Sequence, residues 1–73
     1  MLKFATMTAA IINGKPRQLG DACSVAALLD SMDLAGKRVA VERNGEIVPK
    51  SRHADTAIAE GDRIEVVVAV GGG

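Results

Sequence analysis

The sequence contains almost no aromatic residues: its 73 residues include one phenylalanine and neither tryptophan nor tyrosine. Proteins that bind single-stranded nucleic acids stack the bases on aromatic side chains, so a stacking surface of that kind is excluded. Nine basic residues balance nine acidic ones. Without a basic excess there is no electrostatic basis for binding nucleic acid or an anionic membrane surface. We therefore expect protein partners, with no nucleic acid and no membrane.

Cysteine and histidine are equally scarce, because Cys23 and His53 are the single residues of their kinds. One cysteine forms neither an internal disulfide nor a zinc site, which favours a reducing cytoplasm. Cys23 precedes a helix-capping serine and is expected to pack on Leu28. His53 lies in a polar stretch and is expected to be a solvated loop residue. The sequence contains no nucleophile–base pair and no phosphate-binding loop, so we expect no enzymatic activity, no metal site and no bound cofactor.

Long apolar runs are also absent, and none approaches the roughly 20 residues of a membrane span. The opening MLKFATMTAAII includes a short apolar segment. However, NGKPR follows where the small-residue cleavage site of a secretory signal would stand, and the segment supplies a strand that the domain needs. We therefore expect a cytoplasmic protein. The length predicts one domain over residues 1–73, with residues 1–6 as a frayed extension before Met7.

Two Asn-Gly pairs predict two tight β-hairpins, because these residues tolerate the positive φ angles of a type I′ turn. Asn13-Gly14 joins the strand TAAII to the strand KPRQL. Asn44-Gly45 joins a strand in KRVAVER to a short strand that Pro49 ends.

The stretch SVAALLDSMDL predicts the main helix. Ser24 is placed to cap its first turn, and Gly36 follows where the helix would stop. Apolar residues recur at the spacing of a single helical stripe: Val25, Leu28, Leu29 and Met32.

After the second hairpin, SRHADTAIAE is polar and irregular, and EGD makes a turn into a last strand, RIEVVVAV. The order is therefore β-β-α-β-β-β with one main helix. This order predicts an α+β fold in which the helix packs on one face of a mixed sheet.

Alternation along the last strand places apolar residues on both faces of the sheet. The core face is predicted to contain Ile64, Val66, Val68 and Val70. The single helix leaves the opposite face exposed, and scattered aliphatic residues there would need no explanation. The alternative is a docking patch for a partner, beside Arg38 and Glu42, at the end of the last strand where the glycines begin. The predicted patch consists of Ile11, Ala40, Val67 and Ala69.

The last three residues are the glycines Gly71–Gly73, which we expect to form a flexible tail. Three residues extend by about 10 Å at most, and without side chains they can enter a cleft that rejects any Cβ. The terminal carboxylate of Gly73 is then the reactive group that the tail delivers. It is ionised at neutral pH and a poor electrophile, so it needs activation, most simply as an acyl-adenylate made from ATP by another protein. A frayed terminus or an engineered remnant is the alternative explanation.

The succession of INGKPRQL, SVAALLDSMDL, AGKRVAVERNGEIVPKS and EGDRIEVVVAVGGG resembles the ThiS family of thiamine-biosynthesis sulfur carriers, over Ala9–Gly73. The resemblance implies a ubiquitin-like β-grasp fold, a five-stranded mixed sheet packed on one main helix. It implies that an E1-like adenylyltransferase adenylates Gly73 and that a sulfur donor protein converts it to a thiocarboxylate. Thiazole synthase would take that sulfur, Gly71 and Gly72 would present it, and the exposed sheet face would be the docking surface. The start before Met7 is longer than is usual in the family.

Three other functions stay open at this stage. The small subunit of molybdopterin synthase shares the fold and the tail, but its first strand is typically longer, so the two-residue opening hairpin favours the thiamine role. A ubiquitin-like protein modifier would also carry this tail. A β-grasp interaction module with an incidental tail would differ from any carrier, because deleting Gly73 would leave its function nearly intact. We expect a monomer that binds no cofactor, with ATP used by the partner adenylyltransferase.

Overall fold

The last strand of the chain lies in the middle of the sheet. The computed structural model describes residues 7–20 and 23–69, and its strands are ordered β2-β1-β5-β3-β4. Strands β1 and β5 are parallel, and the other neighbours are antiparallel. The predicted α+β fold with a five-stranded mixed sheet is confirmed. The elements are β1 (Met7–Ile12), β2 (Lys15–Gly20), α1 (Val25–Ser31), β3 (Val39–Arg43), β4 (Glu46–Val48), a 3₁₀ turn (Lys50–Arg52) and β5 (Arg63–Val68).

The helix α1 has the predicted cap and the predicted apolar stripe. The Ser24 hydroxyl oxygen accepts a hydrogen bond from the Ala27 N–H at 3.0 Å, which supplies a partner to a free donor of the first turn. The helix ends at Ser31, earlier than the apolar pattern suggests. Met32 therefore lies just past it and packs, half-buried, against the same core. The buried residues of the stripe are Val25, Leu28 and Leu29.

The core covers only part of β5. Ile64 and Val66 are buried, but Val68, which alternation places on the same face, is 43% exposed, so the prediction that Val68 forms part of the core is wrong. The physical reason is length: a helix of seven residues is about 10 Å long, whereas six strand residues span about 20 Å. Cys23 lies half-buried against the core, and its contact with Leu28 stays a prediction. Val70 lies outside the described residues.

The connection between β4 and β5 is packed against the helix, and the prediction of a solvated His53 is wrong. His53 is 7% exposed, and its Nε2 donates to the Val48 carbonyl at 3.0 Å. The carbonyls of His53 and Thr56 accept the N–H groups of Ala26 and Val25, each at 2.9 Å. The connection thus supplies partners for N–H groups that the first turn of a helix cannot satisfy itself.

Both Asn-Gly turns are tied to β5 by the asparagine side chain. Asn13 and Asn44 each have φ of 52°, and the glycines after them have φ of 83° and 86°, which agrees with the predicted turns. The Asn13 Oδ1 accepts the Val66 N–H at 2.8 Å, and the Asn44 Oδ1 accepts the Arg63 N–H at 2.9 Å. β5 is therefore held from both flanks by the two turns.

The buried carboxylate of Asp62 fixes the start of β5. Its Oδ2 accepts hydrogen bonds from the Arg43 Nε at 2.7 Å and the Ala59 N–H at 2.8 Å, and its Oδ1 accepts from the Asn44 amide at 3.0 Å. Burial is the largest single influence and opposes ionisation. The three hydrogen bonds and the positive charge of Arg43 outweigh it and lower the pKa of Asp62. The ionised carboxylate thus links the second turn to β5.

Substitution of Asn13 tests the bond between the first turn and β5. Asn13→Gly keeps the positive φ but leaves the Val66 N–H without its acceptor, so we expect the free energy of unfolding to fall by about 1–3 kcal/mol. Asn13→Ala should be less stable by a further 1–2 kcal/mol or so, because alanine disfavours the left-handed conformation. Urea unfolding followed by circular dichroism measures both variants. If Asn13→Gly is as stable as the wild type, the side chain does not have this role.

The lowered pKa of Asp62 predicts that the stabilisation provided by its ionised carboxylate is lost in acid. The unfolded chain titrates this group near 3.8 and the folded chain titrates it at a lower pH. Its contribution to stability is therefore complete above 3.8 and is lost as the pH falls through the folded value. We expect the wild type to lose more stability than Asp62→Asn between about pH 4 and about pH 2.5. Asp62→Asn should already be about 1–3 kcal/mol less stable at neutral pH.

Urea unfolding at these pH values measures the difference between the two proteins. Asp55→Asn removes an exposed carboxylate from the same connection and controls for the loss of one negative charge. An equal acid-induced loss in the wild type and in Asp62→Asn contradicts the link.

Candidate functional site

The predicted reactive residues lie outside the described part of the chain. Val70 and the glycines Gly71, Gly72 and Gly73 follow Ala69, which is the last residue described. The structure places the segment from which they leave, Val67–Ala69, and we call this segment the stem. Within the described residues, the candidate site consists of the stem and the sheet face around it.

On the β1 flank, the stem extends past its neighbouring strand. The pairing of β1 with β5 stops at Ile12 and Ile64. Beyond it, the Asn13 side chain accepts one more hydrogen bond from β5, donated by the Val66 N–H. β1 then turns into its hairpin. In the ranges 7–20 and 23–69, no strand pairs with the stem on this flank.

On the other flank, β3 holds the stem. Ala40 lies opposite Val67, and the Ala69 N–H donates to the Arg38 carbonyl at 2.9 Å. Because successive residues of a strand direct their backbone groups to opposite flanks, Val68 directs its N–H and C=O away from β3. The backbone of Val68 therefore faces the flank on which the first hairpin has already ended.

The side chains of the stem are exposed on both faces of the sheet. Val67, on the face away from α1, is 60% exposed, and Val68, on the side of α1, is 43% exposed. Ala69 is also exposed. Both faces of this strand end therefore present aliphatic side chains to solvent.

The predicted docking patch lies on one face of the sheet, but it is not continuous. The strand register places Ala40 beside Val67, with Ala69 two residues further on the same side. Ile11 is half-buried and pairs with Arg63. Arg63 is four residues from Val67, about 13 Å along the strand. The structure therefore brings Ala40, Val67 and Ala69 together and leaves Ile11 apart.

Two carboxylates separate Ile11 from the other patch residues. Glu42 lies directly opposite Glu65 in the register of β3 and β5, and both are exposed. Like charges that face each other across two strands repel. The ion pair found among the described residues joins Arg43 to Asp62 and involves neither glutamate. A basic side chain supplied from outside would relieve this repulsion.

Ile47 is an exposed residue of the same face that the sequence analysis missed. It is 62% exposed and lies opposite Glu42 in the register of β3 and β4. The sequence carried part of the signal, because adjacent residues of a strand face opposite sides, so that one of Ile47 and Val48 had to face outward; the burial of Val48 shows which. Ile47 is therefore a further exposed aliphatic side chain of this face, at the β4 edge and beside Glu42.

The described residues contain no group of three histidine, cysteine, aspartate or glutamate side chains that could hold a metal ion. Nor is any helix among them long and apolar enough to cross a membrane. This part of the chain presents aliphatic side chains, exposed charges and an open strand flank.

Comparison with known proteins gives full-length relatives. Residues 10–73 match the ThiS family. The sulfur carrier protein ThiS of Bacillus subtilis is 41% identical over 63 residues, which are 85% of this chain and 96% of that protein. The crystal structure of the thiamine biosynthesis protein ThiS from Geobacter metallireducens has a TM-score of 0.73 and 32% identity. This similarity covers 90% of the present chain and 100% of the Geobacter chain.

Similar segments also occur within longer proteins. The thiazole synthase of Paramagnetospirillum magneticum is 46% identical over 63 residues, and that of Magnetococcus marinus is 36% identical over 62 residues. These matches include 86% and 85% of the present chain but only 19% of each synthase, so the chain spans about a fifth of their length. The five-stranded mixed sheet with one helix matches the ubiquitin-like β-grasp fold of ThiS, and the chain belongs to the ThiS family.

Proposed function

We propose that the protein is a sulfur carrier of thiamine biosynthesis and that the Gly73 carboxylate is the group that carries the sulfur. The observation that supports this most is the similarity to the Bacillus subtilis sulfur carrier protein ThiS, at 41% identity over 96% of that protein. The geometry is consistent with it, because the central strand leaves the core at Val67, four residues before the first glycine in the sequence. A carrier needs this arrangement, a fixed base and a narrow segment beyond it.

The proposed chemistry occurs on Gly73 and is catalysed by partners. An E1-like adenylyltransferase transfers AMP from ATP to the carboxylate and releases pyrophosphate. Hydrosulfide (HS⁻), supplied by a sulfur donor protein, then attacks the acyl carbon, AMP leaves with one carboxylate oxygen, and a thiocarboxylate remains. Gly71 and Gly72 allow the segment to lie in a channel too narrow for a Cβ atom. The chain itself contributes no catalytic group, and the ATP is bound by the adenylyltransferase.

Thiazole synthase is the proposed acceptor of the sulfur. The thiazole synthases of Paramagnetospirillum and Magnetococcus each include a segment similar to this chain. In those proteins a carrier-like segment and the remaining sequence belong to one polypeptide. Covalent linkage raises the effective concentration of two parts that interact. This supports an interaction between the present chain and a separate thiazole synthase.

The sheet face around the stem is the proposed docking surface. Its apolar part combines Ala40, Val67, Ala69 and Ile47, and a partner that covers these residues removes aliphatic surface from water. The facing carboxylates of Glu42 and Glu65 favour a partner with a basic side chain at the matching position. A complementary partner surface is therefore apolar, with an arginine or lysine near its centre.

Intact mass spectrometry tests the proposed function. The purified chain is incubated with ATP, a sulfur source and cell extract, beside a variant that lacks Gly73. We expect a sulfur-for-oxygen mass gain in the full chain alone, dependent on ATP and located in the last peptide, because only Gly73 presents the reacting carboxylate. A variant that lacks Met1 is the matched control and should gain the same mass. The proposal is contradicted if the full chain gains no mass in an extract that thiolates Bacillus subtilis ThiS.

A further inference from the structure

We propose that thiazole synthase adds a strand to the open flank of the stem, and that this strand bonds to the N–H and C=O groups of Val68. The inference rests on the proposed function, in which the enzyme reacts with the sulfur carried on Gly73. It adds a mode of attachment that is independent of the sheet face described above. In this mode the backbone of the stem, rather than its side chains alone, is recognised.

The segment between the stem and Gly73 is short, so an enzyme that reacts with Gly73 must also contact the stem. Four residues separate Ala69 from the reacting carbon of Gly73, and four residues span about 14 Å at most. A buried active site uses most of that length inside its own channel. The mouth of the channel therefore lies against Val67–Ala69, so the enzyme covers the stem whenever Gly73 reacts.

Covering the stem creates a requirement for hydrogen-bond partners. In solution, water can bond to the backbone of Val68 on the flank where no described strand pairs with it. Once the enzyme excludes that water, an unpaired N–H and C=O are strongly unfavourable. An extended segment of the enzyme can satisfy both groups, because strand addition at an open edge supplies a donor and an acceptor in register.

The amino acids of the stem suit an added strand, whereas the true sheet edges are protected. β2, at one edge of the sheet, begins with Lys15, Pro16 and Arg17. β4, at the other edge, has only three residues. Charged residues, proline and short length are the usual means by which proteins prevent unwanted strand pairing. Val67–Ala69 has none of these protections on its open flank, and its valines favour extended structure.

Proline substitution at Val68 tests the proposed strand, because the Val68 N–H points away from β3. Val68→Pro removes the donor on the open flank and leaves the hydrogen bond from Ala69 to Arg38 in place. Val68→Thr is the matched control, since it keeps the N–H and the branched shape. We expect Val68→Pro to bind thiazole synthase of the source organism about tenfold more weakly in calorimetry. Val68→Thr should stay within about threefold of the wild type.

Hydrogen exchange on the wild-type chain provides a second readout that requires no variant. Binding of thiazole synthase should slow exchange of the Val68 amide. Equal binding by Val68→Pro and the wild type overturns the added strand, as does a Val68 amide that exchanges as fast in the complex as in the free chain. Protection by the adenylyltransferase but not by thiazole synthase overturns the choice of partner.

The outcomes separate this inference from the proposed function. If the wild-type chain gains sulfur on Gly73 and Val68→Pro binds normally, the carrier function stands and the added strand is wrong. If the wild-type chain gains no sulfur in active extract, the carrier function itself is contradicted, whatever Val68→Pro does.

Discussion

The rest of the structure depends on two hydrogen bonds that backbone N–H groups of β5 donate to the side-chain oxygens of Asn13 and Asn44. β1 pairs with β5 at only two positions, so the hydrogen bond that the Val66 N–H donates to the Asn13 Oδ1 extends a short ladder. On the opposite flank, Asn44 bonds to Arg63 and to the buried Asp62 carboxylate. The central strand is thus fixed over its first four residues. Beyond Val66, where the stem begins, β3 is the one strand of the described residues that pairs with it.

Local features were predictable from the sequence, whereas long-range ones were not. The Asn-Gly pairs gave both turns, because positive φ is a property of those residues themselves. Nothing in the pair Asn13-Gly14 indicates that the asparagine also accepts a hydrogen bond from Val66, 53 residues later. The burial of His53 was not predicted for a similar reason. Its ring bonds to the Val48 carbonyl, and the polar sequence around His53 does not show which carbonyls need donors.

The sequence predicted which face of the sheet each residue of the candidate site occupies, but not how exposed or how close together these residues are. Alternation correctly placed Val67 and Ala40 on the outer face, and it directed Val68 toward α1. Whether Val68 is covered depends on the length of the helix, which ends at Ser31, earlier than the apolar pattern suggests. Ile11 was assigned to the right face, but its distance from Val67 follows from the strand register, which one sequence does not reveal. In the proposed carrier, the fixed part of β5 therefore anchors the C-terminus, the stem contacts the partner, and the glycines, which have no side chains, enter its active site.

Amide hydrogen exchange of the free protein, measured residue by residue by NMR, tests most directly the claim that β5 is fixed up to Val66 and open beyond it. The account predicts slow exchange at Val66, whose N–H is bonded to the Asn13 side chain, and fast exchange at Val68, whose N–H faces the open flank. Fast exchange at Val66 would show that the asparagine bond does not hold the strand. Exchange at Val68 as slow as at Val66 would show that the stem is already paired, and the account would be wrong.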